Sequence, residues 1–232
     1  MAMTYRKLGN IQQAKITLLK SRKLIKQIFN KDSLDYCIHQ YNYALLLFNE
    51  RKLDEAKSLL EKNLTTLKKV YGAKNSTYIR SLKELAYINF HQNKIYLALS
   101  QHKILEEIIL SSYGKNHEIY ISNLMQWGYI LLSIEHHQSA KAKYTEALEL
   151  IEKTYHRKNE RYIQALSQLA LIDFNTGHQD TARLKLGNAY MLARKNLGEN
   201  HPITKEMQFN IVEVDKWKKS QKARTNLTYQ FK

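Results

Sequence analysis

Between residues 36 and 77, apolar side chains recur every three or four positions: Tyr41, Leu45 and Phe48, then Leu53, Ala56, Leu60, Leu64 and Leu67. This spacing predicts two successive helices, each with one buried face. They are separated only by the polar corner Asn49 to Lys52, which is long enough to reverse the chain and little else. The pattern then recurs along the chain. Ala14, Ala56, Ala98, Ala140 and Ala182 stand 42 residues apart, and a second small-residue series, Ala44, Ala86, Gly128 and Ala170, keeps the same step. Tyr78-Ile79, Tyr120-Ile121 and Tyr162-Ile163 open one element of each unit, while Tyr71-Gly72, Tyr113-Gly114, Tyr155-His156 and Leu197-Gly198 close the other. A fixed period of this size marks stacked repeats. Each repeat is predicted to be a helical hairpin, with small residues where axes cross closely and a larger side chain would force them apart. The corners at Leu8-Gly9-Asn10, Asn49 to Lys52, Gln92-Asn93-Lys94, Glu135-His136-His137 and Thr176-Gly177-His178 supply glycine or asparagine at several places where the chain must turn left-handed.

The chain is therefore expected to be all-α and to form one domain over residues 1–232. Its predicted units are 1–35, 36–77, 78–119, 120–161 and 162–203, followed by a capping helix over 204–222 and a basic tail over 223–232. Pro202 suits the first position of that last helix, where its missing N–H costs nothing. Met1 aligns with Tyr43, so the first unit begins inside a first helix, either as a degenerate cap or as part of something longer.

Composition narrows the picture without redirecting it. Seven glycines and one proline in 232 residues argue against folds built on many tight turns. No apolar stretch approaches the roughly 20 residues of a membrane span, and the start carries no signal-peptide core, so the expectation is a soluble, cytoplasmic protein. The net charge is +16, but it is concentrated at the ends: residues 1–35 carry eight basic and two acidic side chains, residues 204–232 seven and three, and residues 78–203 fifteen and twelve. A chain that tracked a phosphate backbone along its length should be basic throughout. The lone Cys37 can form neither an internal disulfide nor a metal site by itself. His136, His137 and His178 lack metal-ligand spacing, and no phosphate loop or nucleophile motif is present. Neither cofactor, metal nor catalytic residue is expected. The sequons at Asn63, Asn75 and Asn226 carry no weight without a secretory signal.

Helix one reads Asn42-Tyr43-Ala44 or Gln168-Leu169-Ala170, one corner holds Gly177, and a second helix ends Leu197-Gly198-Glu199-Asn200-His201-Pro202. With Ala147 to Glu152 and Ala189 in a second-helix pattern, the chain resembles the 42-residue tetratricopeptide repeats of the kinesin light chain type over nearly its whole length. The resemblance implies a right-handed α-solenoid of helix-turn-helix repeats whose first helices line a concave, peptide-binding groove. It also maps the family's peptide-contacting asparagine onto Asn42, and by weaker analogy onto Glu84, Gln126 and Gln168.

The candidate groove can be read column by column. Two residues before the small position lie Asn42, Glu84, Gln126, Gln168 and Asn210, mostly amides able to pair both N–H and C=O groups of an extended peptide. One residue after it come Leu45, Tyr87, Tyr129 and Leu171, and five after it Asn49, His91, Ser133 and Asn175. Arg80, Ser122 and Gln164 lie one turn earlier, with Lys83 and Met125 beside them. A solvated helix face accounts equally for a polar column, and inter-repeat packing for the tyrosines. The leading functional expectation is a non-enzymatic scaffold that binds a peptide or helix of another protein. The second is a nucleic-acid-associated regulator using its basic ends, Lys15, Lys20, Arg22, Lys23 and Lys26 at one and Lys216-Trp217-Lys218-Lys219, Lys222 and Arg224 at the other; solvated capping surfaces are the plainer reading of both. The third is a sensor segment of a larger multidomain protein.

Overall fold

The computed structural model describes residues 11–230, except for the side chains of Ile11, Ala14, Arg22, Lys23, Lys26 and residues 218, 219 and 221–230. The corner at Leu8 to Asn10, the first alanine of the 42-residue series, Lys222, Arg224 and the end of the basic tail therefore lie outside the described side chains.

The described residues form ten helices and no strand: α1 (Ile11–Ile28), α2 (Leu34–Asn49), α3 (Leu53–Tyr71), α4 (Ser76–His91), α5 (Ile95–Tyr113), α6 (Glu118–Ser133), α7 (His137–Tyr155), α8 (Glu160–Asn175), α9 (Gln179–Leu197) and α10 (Pro202–Gln230). They fall into two compact units, one up to Asn123 and one from Leu124 onward. The last helix begins two residues earlier and ends eight later than the expected 204–222.

The start of each first helix repeats one solution. Ser33 Oγ accepts from the Tyr36 amide at 3.2 Å, and Asn75 Oδ1 from Thr77 and Tyr78 at 2.8 and 3.4 Å. His117 Nδ1 accepts from Ile119 at 3.2 Å, Asn159 Oδ1 from Arg161 at 2.9 Å, and His201 Nδ1 from Ile203 at 3.4 Å. Each side chain satisfies amides that have no partner within the helix. Asn75 is thus a cap, and Asn63 is a buried core amide donating to Cys37 O at 3.0 Å.

The four first helices that lead into a hairpin corner stop the same way. Arg51, Asn93, Glu135 and Gly177 have φ between 60° and 86°. The next amides, of Lys52, Lys94, His136 and His178, reach back to the carbonyls of Leu47, Asn89, Leu131 and Asp173 at 2.8–2.9 Å, the six-to-one bond of a Schellman ending. The expected left-handed corner is present, and three corners adopt it without glycine. At the ends of the second helices, Gly72, Gly114, His156 and Gly198 occupy a second positive-φ position. Just before it, the Tyr71 and Tyr113 hydroxyls donate to Asp32 O and Lys74 O at 3.0 and 2.8 Å, which accounts for tyrosine in that column.

Within the N-terminal unit, Ala44, Ala56, Ala86 and Ala98 are wholly buried among Leu60, Leu67, Ile79, Leu105 and Ile109. Within the C-terminal unit, Ala140, Ala170 and Ala182 are equally buried among Ile151, Ile163, Ile172 and Leu186. Gly128 takes the alanine position on α6, and a methyl there would lie 2.9 Å from the buried Tyr144 ring. Tyr144 is therefore accommodated by the loss of a methyl at Gly128.

Polar ties recur across hairpin junctions. Lys57 Nζ donates to Asn89 Oδ1 at 3.0 Å, Lys141 Nζ to Asp173 Oδ1 at 3.0 Å, and Arg183 Nε to Asp215 Oδ1 at 2.6 Å, with 32 residues between partners each time. Asp173 is 2% exposed and also accepts from Lys185. Its burial alone would raise the carboxyl's pKa, but hydrogen bonds from Lys185 and Lys141 outweigh that and hold it below its ordinary value.

Candidate peptide-binding surfaces

In the C-terminal unit, successive first helices α8 and α10 diverge around an open cavity of about 690 Å³. Gln168, Leu171 and Phe174 of α8 line one side, and Glu206, Asn210, Glu213, Val214 and Trp217 of α10 the other. On α10 these positions follow helical spacing, so one face of the helix points into the cavity. Phe174 and Trp217 meet edge to face, with ring centroids 5.4 Å apart. Two amides of the sequence-derived column, Gln168 and Asn210, together with Leu171 of the adjoining column, thus share one concavity. Asn175 is exposed and does not line it.

In the sequence Trp217 sits among the lysines of the basic end. It stands 42 residues after Asn175, in the column that also holds Asn49, His91 and Ser133, and extending that column to the last helix identifies it. Phe174 belongs to a column with Phe48, Phe90 and Leu132 that sequence reasoning passed over.

The N-terminal unit repeats the aromatic relation on α2 and α4. Phe48 lies 5.2 Å from His91 and 5.4 Å from Tyr87, and Tyr87 meets His91 edge to face at 4.5 Å. Phe90 completes the cluster, 5.3 Å from His91. Burial, followed by the charge of Arg51, lowers the His91 pKa below its ordinary value. The amide column behaves differently here. Asn42 and Glu84 are half-buried, and Glu84 lies 3.7 Å from Lys83, whose ammonium also donates to Ser122 Oγ at 2.6 Å. Arg80 and Asn49 are exposed. A second concavity of about 440 Å³, between Tyr43 and Leu47 of α2 and Asp54, Glu55, Ser58, Leu59 and Lys62 of α3, contains none of the sequence-derived residues.

On α6, Gln126 is half-buried, with its Oε1 shielded and unbonded, while Tyr129 is exposed. Met125 is half-buried, Ser133 Oγ donates to Tyr129 O at 2.9 Å, and Gln164 of α8 donates to Glu160 at 3.3 Å. The five members of the amide column therefore share partial burial, and two of them share a cavity.

Other chemistry is sparse. Burial, with a smaller contribution from Asp32, pushes the Cys37 thiol up to about 11, far from the thiolate a nucleophile requires. Among the described residues no group of three or more His, Cys, Asp or Glu side chains could hold a metal ion, and no helix is long and apolar enough to cross a membrane.

No protein-family model matches the sequence, and a search of curated proteins gave no match. Solved structures do. The protein BtubC (BKLC) from P. vanneervenii superimposes with a TM-score of 0.71 at 17% identity, covering 89% of this chain and 82% of that one. A putative kinesin light chain of Podosopora anserina with TPR-like repeats gives 0.65 at 16% identity, over 84% of this chain and 92% of that one. A Rap protein complexed with competence and sporulation factor gives 0.73 at 12% identity, over 92% of this chain and 62% of that one. At these identities the likeness is one of fold, and it agrees with the 42-residue hairpins, the capped first helices and the buried small-residue columns: the chain has the fold of the tetratricopeptide-like repeat proteins.

Proposed function

We propose that the chain is a non-enzymatic, cytoplasmic adaptor that binds a peptide or helical segment of another protein, and that the cavity between α8 and α10 is a subsite for it. The observation that carries this reading is the combination of Gln168 and Asn210 with the Phe174–Trp217 pair around one open cavity of about 690 Å³. The aromatic pair offers an accessible apolar surface on which an apolar side chain could be anchored, and the amides offer donors and acceptors to the backbone beside it. The Rap structure of similar fold was determined with a bound factor, which supports a binding role for this architecture.

The test begins with affinity capture by the full chain and titration of the captured partner by calorimetry. Gln168→Ala should weaken binding about tenfold and Trp217→Ala about a hundredfold, with the melting temperature of Gln168→Ala unchanged. Wild-type affinity in both variants removes this cavity from the binding site. Tight, salt-tolerant binding of a defined RNA or DNA would instead favour the basic ends.

A further inference from the structure

The second helices α3, α5, α7 and α9 are equivalent elements one repeat apart, so each serves as a control for the others. At the Tyr96 position the other helices carry Asp54, Gln138 and Asp180; at Leu97 they carry Glu55, Ser139 and Thr181. Ile104 corresponds to Lys62, Glu146 and Asn188, and Leu110 to Lys68, Glu152 and Arg194. Four positions that are charged or polar in every other repeat are apolar or aromatic on α5 alone. None of the four is in the core: Tyr96 is 91% exposed, Ile104 49%, Leu97 44% and Leu110 36%. Side chains seven apart lie on nearly the same line along a helix, so Leu97 and Ile104 form one edge of this face and Tyr96, Lys103 and Leu110 the other, with Ser100 and Glu107 between them. Leu97 to Leu110 spans roughly 20 Å of helix. An exposed helix face with four large apolar side chains over that length, on either side of a line of polar groups, is characteristic of an interaction surface.

Its sequence is self-complementary. Consider two α5 helices running antiparallel across a two-fold axis between Lys103 and Ile104. Each edge then meets its own counterpart: Ile104 of each copy meets Ile104 of the other, with Leu97 flanking it, and Ser100 faces Glu107 along the middle. On the other edge the Lys103 ammonium lies one turn from the opposing Glu107, with Tyr96 and Leu110 flanking it. Apolar edge meets apolar edge and the charges alternate in sign, as a closed two-fold interface requires. Charge points the same way. Two copies of a chain with net charge +16 repel one another, but the exposed face of α5 carries only Lys103 and Glu107 and is neutral. We propose that α5 is the interface of a two-fold symmetric homodimer, with Ile104 beside the axis, Leu97 and Leu110 along its edges and the Lys103–Glu107 pair exchanged between copies.

Sedimentation equilibrium of the full chain, from roughly 1 to 100 µM, should give a mass approaching twice 27.4 kDa. Ile104→Glu places two carboxylates beside the axis and should weaken association ~100-fold while leaving the helical circular dichroism unchanged. Glu107→Lys alone should also weaken it, and the double variant Lys103→Glu/Glu107→Lys should restore it, because an exchanged pair reversed in both copies remains complementary. A wild-type chain that stays at 27.4 kDa throughout, a dimer indifferent to Ile104→Glu, a double variant no better than Glu107→Lys, or a mass that grows past the dimer would each overturn the proposal.

Discussion

Gly128→Ala adds a single methyl group on which two opposing effects can be weighed. In a helix interior, alanine in place of glycine is ordinarily worth roughly 1 kcal/mol of stability, and Gly128 lies within α6 with no positive φ to preserve. Against this, the new carbon would stand 2.9, 3.1 and 3.2 Å from Cε2, Cδ2 and Cζ of Tyr144, where carbon atoms prefer about 3.5–4.0 Å. Tyr144 is 2% exposed, and a stiff ring in a packed core cannot step aside without moving its neighbours, so overpacking of about 1–3 kcal/mol applies. The net expectation is a loss of about 1 kcal/mol, opposite in sign to the propensity effect. Two of the equivalent hairpins already contain the compensating pair, since Leu60 and Leu186 occupy the Tyr144 position where Ala44 and Ala170 occupy that of Gly128. In a Tyr144→Leu background, Gly128→Ala should therefore stabilise by about 1 kcal/mol, which gives a coupling energy of about 2 kcal/mol. Urea unfolding of the four proteins, followed by far-ultraviolet circular dichroism, measures the cycle. A wild-type chain stabilised by Gly128→Ala, or two substitutions whose effects simply add, would refute the packing argument.

Two further outcomes follow from the geometry. Because the Asp173 carboxyl has a lowered pKa in the folded chain, its contribution is fully present above the ordinary carboxylate pKa of 3.8 and is lost as pH falls through the lower, folded value; Asp173→Asn should cost about 2 kcal/mol at pH 7 and flatten the acid limb of a stability–pH profile, and an unchanged limb would contradict this. His156 has φ 63° and ψ 167°, a region open to little but glycine, so His156→Gly should raise stability by about 1 kcal/mol in the same urea assay, while a loss would show that the imidazole makes a compensating contact.

The repeat was legible because packing constrains it: Ala56, Ala98, Ala140 and Ala182 are wholly buried, where added volume is costly, so the period stands out among freer positions. The helix starts were harder to see, since Ser33, Asn75, His117, Asn159 and His201 perform one task with three chemistries, and hydrogen-bond acceptance is not visible as identity. Of the groove columns, Gln168, Leu171 and Asn210 were placed by spacing alone, whereas Trp217 was obscured by the charges of its neighbours and Phe174 by its resemblance to an ordinary core residue. The exposed face of α5 was illegible for a related reason: Tyr96, Leu97, Ile104 and Leu110 look like core until burial shows that the core lies on the other side of the helix.

The junction ties of Lys57 with Asn89, Lys141 with Asp173 and Arg183 with Asp215 bear on how such chains can be rearranged. At the same step the sequence has leucine at both Leu99 and Leu131, and the three ties are themselves different keys: a lysine on a neutral amide and two kinds of ion pair. The hairpins are consequently not interchangeable bricks. Moving the 162–203 hairpin to follow 78–119 would set Asp173 where the preceding helix offers Leu99 instead of Lys141, leaving a carboxylate in the core with only Lys185 to neutralise it, at a cost of several kcal/mol. Shuffling or duplicating single repeats is thereby penalised at every joint whose key does not match, and lengthening this chain by recombination requires copying a hairpin together with the helix before it.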